Sequence, residues 1–446
     1  MPQKKYLFIS IAIFLFLSFV LYKSWATEKS CFDRDSVGYD QIACDFVQNN
    51  TLTDTHHPSL IPIQPIGYPF FVGLIYKVFG YNYLIVIFIQ VLLSILSLYL
   101  VFSMANSLFG PQIASISAIL CAINLGMLVY AQTFLTESIL LLFILLSAER
   151  MVNFLKTQKN ISILLSGFFL GVSILIKSSA LILFFFIPPL LMFYKIPFKK
   201  RILATLLFII SFSAPVLAYM EGNRRKYEFF SIAPLKRLNM YYVFLSKVIA
   251  QKENISEKEA YSKIPFFDRQ NRFDARGWDK AKKLFWQHTT ETPFTCLYVW
   301  LKNVSKTLFG LFSTQMKIIV SKNFRGGDLS FFREEGDFFK RAISYITKGA
   351  NSNAVKLIAF LEAFWTVFRY LMVLIAFILL IQMGEFWMAI IFAIVIASLS
   401  VITGFDGCCR YRIIFEPLLI ILTAIGILAS YGWLFGKKVK IHNNLP

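Results

Sequence analysis

Apolar residues in this chain fall in long blocks separated by short polar stretches. Ten blocks stand out: residues 7–22, 83–104, 112–129, 138–155, 161–176, 179–194, 202–219, 355–381, 386–404 and 413–435. Each approaches the ~20 residues with which an α-helix crosses the hydrocarbon core of a bilayer. In lipid the backbone polar groups must be satisfied internally, and a helix does this within one segment. The pattern therefore predicts an all-α, polytopic transmembrane bundle of about 10 spans, within a range of about 9–13.

The polar stretches divide the chain further. Residues 68–80 read as a short interfacial helix after the punctuation Gln64-Pro65-Ile66-Gly67-Tyr68-Pro69. Residues 221–292 are rich in Lys, Arg, Glu and aromatics, and are long enough for a small external helical region. In 294–320, Lys302, Lys306, Ser313 and Lys317 recur among Trp300, Leu301, Leu308, Phe309 and Phe312. That spacing predicts an amphipathic helix lying in the membrane interface. Three regions result: an N-terminal transmembrane module, 1–220, with a first external loop at 23–67; an external region, 221–354, carrying the interfacial helix; and C-terminal transmembrane helices with a basic tail, 355–446.

Composition supports this reading. The 446 residues are 57% hydrophobic and only 16% charged, and the mean hydropathy is +0.63. Lys and Arg number 45 against 25 Asp and Glu. In so apolar a chain that excess belongs to loops and membrane surfaces rather than to nucleic-acid binding. Lys4 and Lys5 place the N-terminus inside, and Lys195, Lys199, Lys200 and Arg201 mark the strongest inner loop. With 294–320 flat, the tail bearing Lys437, Lys438 and Lys440 also ends inside. The first block resembles a signal peptide with Ser24-Trp25-Ala26 as a cleavage site, but its length favours an uncleaved anchor. The expected location is the cell's inner (plasma) membrane, multi-pass, with the chemistry on the periplasmic or extracellular side. Six cysteines are too few for a disulfide scaffold. Cys31 and Cys44 share the first loop, where a disulfide and two thiols are equally compatible with the sequence. No phosphate-binding loop and no dinucleotide fingerprint appears.

This topology gathers Asp33, Asp35, Asp40, Asp45, His56, His57, Glu137, Lys177, Arg410 and Arg412 on one external rim. Ionisable groups held beside lipid are costly and mark function by default. A carboxylate there can take a proton from an incoming hydroxyl, while Arg and Lys can hold a phosphate leaving group. Asp35 also reads as a helix N-cap, Glu137 as a residue favouring the positive end of the 138–155 helix, and Lys177, Arg410 and Arg412 as interfacial anchors. No cofactor is certain. A divalent metal held by His56 and His57 is the one candidate, although adjacent histidines rarely point at one ion. Glu362 and Arg369, seven apart within the 355–381 block, lie on roughly one helix face.

Several motifs carry a resemblance. Asp35-Ser36-Val37-Gly38-Tyr39, then Ile42-Ala43, is similar to the first-loop motif of the GT-C membrane glycosyltransferases. These include the protein O-mannosyltransferases and the aminoarabinose transferases of lipid A. Pro65-Ile66-Gly67-Tyr68-Pro69 with Phe79-Gly80 and Gln90, Thr136-Glu137, Leu175-Ile176-Lys177, His288 with Pro293, and Arg410-Tyr411-Arg412 with Pro417 resemble later family motifs, in the family's order. The chain departs from the pattern in having a lone Glu137 in its second loop and Gln64 where the aminoarabinose transferases have a lysine. The resemblance implies a GT-C-like fold and an inverting transfer of a sugar from a polyprenyl-phosphate-linked donor to a hydroxyl on a glycan, lipid or protein acceptor. It implies Asp35 as general base with Glu137 as a second catalytic residue. Tyr39, Lys177, Arg410 and Arg412 would bind the lipid phosphate. Competing readings are a transporter or flippase for a lipid-linked saccharide, and a surface-polysaccharide ligase or polymerase. Against the transporter, the block interiors hold almost no charge and no internal repeat is visible.

Overall fold

The computed structural model describes residues 2–25, 31–32, 34–53, 64–193, 196–233, 235–264, 275–321, 337–348 and 352–435. Among them all regular structure is helical. The first half comprises α1 (Pro2–Trp25), α2 (Arg34–Asn49), α3 (Gly67–Phe79), α4 (Tyr83–Phe109), α5 (Pro111–Ala122), α6 (Leu125–Ala131), α7 (Glu137–Thr157), α8 (Asn160–Ile176), α9 (Leu181–Phe193) and α10 (Phe198–Tyr227). The polar middle holds α11 (Leu235–Leu238), a π-helical turn (Asn239–Phe244), α12 (Leu245–Glu253), α13 (Glu257–Ser262), α14 (Ala275–Glu291), α15 (Pro293–Phe309), α16 (Ser313–Ser321) and α17 (Phe338–Thr347). The chain closes with α18 (Asn353–Gln382), α19 (Phe386–Thr403), a 3₁₀ turn (Cys409–Ile414) and α20 (Glu416–Leu434).

Every expected block is helical, but their lengths differ. Among the described residues seven helices (α1, α4, α7, α10, α18, α19 and α20) are long and apolar enough to cross a membrane. Counted as one broken span, the pair α5 and α6, bent by 52°, makes an eighth. The bend sits at Asn124, whose side chain accepts a hydrogen bond from the Met127 N–H at 2.9 Å and so starts a new helix. The α8 helix and the stretch Ser178–Phe193 are apolar but shorter. The 17 residues of α8 rise about 26 Å against a core of ~30 Å. Ten apolar blocks thus yield seven or eight helices of spanning length and composition.

In the main core α8 packs on α7 and α10, α18 on α20, and α4 on α5 and α7. A second core, containing Tyr242, Leu245, Val248, Ala281, Phe285 and Val299, draws together α12, α14 and α15. It meets the segment after α19 where Phe244 packs edge-on against Phe405, with ring centroids 5.4 Å apart.

The amphipathic stretch 294–320 is two helices rather than one. Between α15 and α16 the Glu362 carboxylate accepts the N–H groups of Phe312 (2.6 Å) and Ser313 (2.7 Å). Arg412 Nη1 donates to the carbonyls of Leu308 (2.6 Å) and Gly310 (2.7 Å). An anion thus takes up N-terminal donors of one helix and a cation C-terminal acceptors at the end of the other, which offsets the cost of the break. No disulfide joins Cys31 and Cys44.

Candidate functional site

Four chain segments converge at one end of the bundle. The first turn of α2 carries Asp35, and the first residue of α7 is Glu137. Lys177 follows α8, and Arg410 stands in the 3₁₀ turn between α19 and α20. Their side chains form one chain of charge. Arg410 Nη1 donates to Asp35 Oδ2 at 2.7 Å, and Arg410 Nε donates to Glu137 Oε1. Lys177 Nζ donates to the same Glu137 oxygen at 2.6 Å. Two cations and two carboxylates balance, which makes their burial tolerable. The burial is graded: the Glu137 side chain is 0% exposed, Lys177 10%, Arg410 15% and Asp35 38%. Asp35 is the end of the chain that solvent or a substrate can reach. Burial opposes the charge on Arg410, but Glu137 and Asp35 hold the guanidinium firmly protonated. Burial and the Arg410 charge pull the Lys177 pKa down, with Glu137 opposing them.

Local contacts fix each element. Ser36 Oγ donates to the Phe134 carbonyl at 2.7 Å, and the Phe134 N–H donates to the Cys31 carbonyl, pinning the start of α2 to the segment before Glu137. Tyr39 is 3% exposed and meets Tyr68 edge-on at 5.0 Å. Burial lifts the Tyr39 phenol well above its ordinary range, so it stays neutral. Tyr68 Oη donates to Gln90 Oε1 at 2.7 Å, and Gln90 Nε2 donates to the Thr133 carbonyl at 2.9 Å. The Tyr68–Gln90 pair therefore props the loop that leads into Glu137. Gly67 matters through close approach: a Cβ there would lie 2.5 Å from the Leu175 carbonyl oxygen, two residues before Lys177.

The other candidate residues are placed as follows. Asp40 accepts the hydroxyls of Tyr76 (2.7 Å) and Tyr81 (3.0 Å), joining α2 to the end of α3. Asp45 accepts from Gln41 within α2 at 3.2 Å. Arg412, two residues beyond Arg410, is turned away from Asp35 and fully buried. Besides the α15 carbonyls, it donates from Nε to Glu416 Oε2 at 3.0 Å and lies 4.2 Å from the Phe312 ring centroid. Glu416 also accepts from Asn124 at 2.9 Å and pairs with Arg369. Glu362 and Arg369 thus share a face without pairing to each other. Asp33, His56 and His57 lie outside the described residues. Among the described residues no group of three His, Cys, Asp or Glu side chains is placed to hold a metal ion.

Sequence reasoning passed over Glu416, whose signal was its position four residues after Arg412 at the start of an otherwise apolar helix. It also passed over Asp406, which accepts the Tyr411 hydroxyl at 2.9 Å.

Comparison with known proteins bears on this geometry. Residues 63–219 match the family model described as dolichyl-phosphate-mannose-protein mannosyltransferase. That segment includes Gly67, Gln90, Glu137 and Lys177. No curated protein matches the chain in sequence. Among solved structures, the apo oligosaccharyltransferase of Archaeoglobus fulgidus is similar, with a TM-score of 0.54 and 12% identity over 99% of this chain and 53% of that one. The chain therefore spans about half the length of that protein. The archaeal oligosaccharyltransferase AglB of the same organism, in complex with an inhibitory peptide and a dolichol-phosphate, gives 0.46 at 12% identity, over 97% and 52% of the two chains. ArnT from Cupriavidus metallidurans bound to undecaprenyl phosphate gives 0.40 at 14% identity, over 96% and 79%. With its apolar helices, a segment that matches the mannosyltransferase family model and a fold similar over 99% of its length to that of the archaeal oligosaccharyltransferase, the chain is a multi-pass membrane protein with a GT-C-like helical fold.

Proposed function

We propose that this protein transfers a sugar from a polyprenyl-phosphate-linked donor to an acceptor hydroxyl, with inversion, at the periplasmic or extracellular face of the plasma membrane. The observation that carries the reading is the Asp35–Arg410–Glu137–Lys177 chain. It sets one partly exposed carboxylate against two cations that a buried carboxylate holds in place. The match of residues 63–219 to a family described by a dolichyl-phosphate-linked sugar supports the donor class.

In this reading the donor phosphate lies against Arg410 and Lys177, with its lipid chain along the bundle. The acceptor oxygen attacks the anomeric carbon from the side opposite the phosphate. Asp35 takes the hydroxyl proton as the new bond forms. The bond from the anomeric carbon to the phosphate oxygen breaks, and its electron pair leaves on the phosphate. Arg410 and Lys177 stabilise that charge. Glu137 holds both cations in place, Tyr39 keeps α2 seated, and Arg412 has a structural role.

The test uses the purified full chain with a labelled polyprenyl-phosphate sugar and, separately, polyprenyl phosphate. Asp35→Asn is expected to bind polyprenyl phosphate normally and to lose at least about 100-fold in turnover. Arg410→Met and Lys177→Met are each expected to weaken lipid-phosphate binding about tenfold or more. Undiminished turnover in Asp35→Asn, or no binding of polyprenyl phosphate by the natural protein, would overturn the reading.

A further inference from the structure

The segment between α19 and α20 is moulded against α15 without slack. Asn303 Nδ2 donates to the Gly404 carbonyl at 2.9 Å, and Trp300 Nε1 donates to the Val401 carbonyl at 3.3 Å. Gly407 has φ +75°, and a Cβ there would stand 2.7 Å from Asn303 Cα, so only glycine fits on both counts. Held in this way, Asp406 makes one contact further along the segment and one to α12. It accepts the Tyr411 hydroxyl at 2.9 Å and lies 3.4 Å from the Nζ of Lys247. Lys247 also donates to the Asp406 backbone carbonyl. It comes from α12, in the second core, and its side chain is only 14% exposed. At the other end, Lys177 Nζ sits over the Tyr411 ring, 4.9 Å from its centroid.

We propose that Asp406 and Tyr411 are positioning residues for Lys177, and that Lys247 couples them to the polar middle of the chain. The inference rests on the reading of Lys177 as a phosphate ligand. An ammonium on a flexible four-carbon stem needs more than one contact to be held at a point. Glu137 fixes one side of it, and the Tyr411 ring closes the other through its π face. The ring's angle is set in turn by the hydroxyl contact to Asp406. Movement of α12 therefore reaches Lys177 through three contacts, so an acceptor docking on the polar middle can alter how firmly the donor phosphate is gripped.

Two readouts on the full chain test this: acylation of Lys177 by an amine-reactive reagent, followed by mass spectrometry, and donor kinetics with polyprenyl phosphate binding. Tyr411→Phe keeps the ring but frees it from Asp406. It should raise KM for the donor and weaken polyprenyl phosphate binding about fivefold, with kcat changed less than about twofold, and should speed Lys177 acylation. Asp406→Ala should match it, and the double variant should be no worse than the worse single, since both cut one path. Asp406→Asn, which keeps an acceptor for the Tyr411 hydroxyl, should stay close to the natural protein in KM, binding and acylation. Lys247→Met should shift KM in the same direction by less. Unchanged acylation and binding in folded Tyr411→Phe would overturn the proposal. If Tyr411→Phe does not fold, unchanged values in Asp406→Ala decide against it equally. Faster acylation in a protein that binds no polyprenyl phosphate would keep the link and reject the reading of the site.

Discussion

Arg410 and Arg412 stand two residues apart on one 3₁₀ turn, and their surroundings differ in what they leave open. Arg412 is spent: Glu416 and the carbonyls at the end of α15 take up its donors, and its side chain and that of Glu416 are 1% and 0% exposed. Arg410 also pairs with a fully buried glutamate, but its second carboxylate, Asp35, is 38% exposed. A closed cluster can only hold helices together. An open one can exchange Asp35 for a ligand without baring a charge to lipid. Burial and pairing are common to both clusters, so the open end is what separates a candidate site from a strut.

The largest effects should separate the two arginines outright. Arg412→Met strips Glu416 of one of its two cations and takes the Arg412 donor from the Leu308 and Gly310 carbonyls, of which Leu308 keeps the Tyr370 hydroxyl. Removing one partner of a buried pair costs about 3–5 kcal/mol. The expected result is a protein that accumulates poorly or melts far lower in detergent. Arg410→Met leaves Glu137 with Lys177 and Asp35 with solvent, so its melting temperature should fall much less. Its turnover, however, should drop about 100-fold or more. Equal melting losses in the two variants would erase the distinction.

The glutamates sharpen the contrast. Glu416→Gln places Arg369 and Arg412 side by side with no anion between them, and should destabilise by about 3 kcal/mol in a melt. Glu137→Gln should instead change a pH profile. Burial and Arg410 pull the Lys177 pKa down, and Glu137, with Asp35 behind it, opposes them. Without Glu137 Lys177 loses its proton at lower pH, so polyprenyl phosphate binding should weaken on the alkaline side sooner than in the natural protein. A binding profile with no shift toward lower pH would remove Lys177 from the phosphate.

The bundle was legible because length and apolarity are written directly into each block. The convergence of Asp35, Glu137, Lys177 and Arg410 was legible too, since counting spans puts their four helix ends on one side. The functions of the two arginines were not. Arg410-Tyr411-Arg412 reads as one basic motif, and only the pitch of the 3₁₀ turn and the break at Gly310 send the second arginine back into α15. The break was hidden for a related reason. Leu308 through Phe312 continues an amphipathic pattern, and what interrupts it comes from Glu362 and Arg412, about 50 and 100 residues away.

The smallest effect concerns Asp40, an acid five residues after Asp35. Its contacts are the hydroxyls of Tyr76 and Tyr81, one on each oxygen. That pairing orients α2 on the end of α3, and nothing cationic in the charge chain takes part in it. Asp40→Asn keeps an acceptor oxygen for one tyrosine and gives up a charge-assisted bond to the other. The cost should be about 1 kcal/mol or less in a melt, with turnover within about twofold of the natural protein. Asp35→Asn, by contrast, should keep its melting temperature and lose its turnover. If Asp40→Asn lost turnover as steeply, the acid end of the site would be a pair. The open end of the charge chain would then extend along α2 and no longer stop at Asp35.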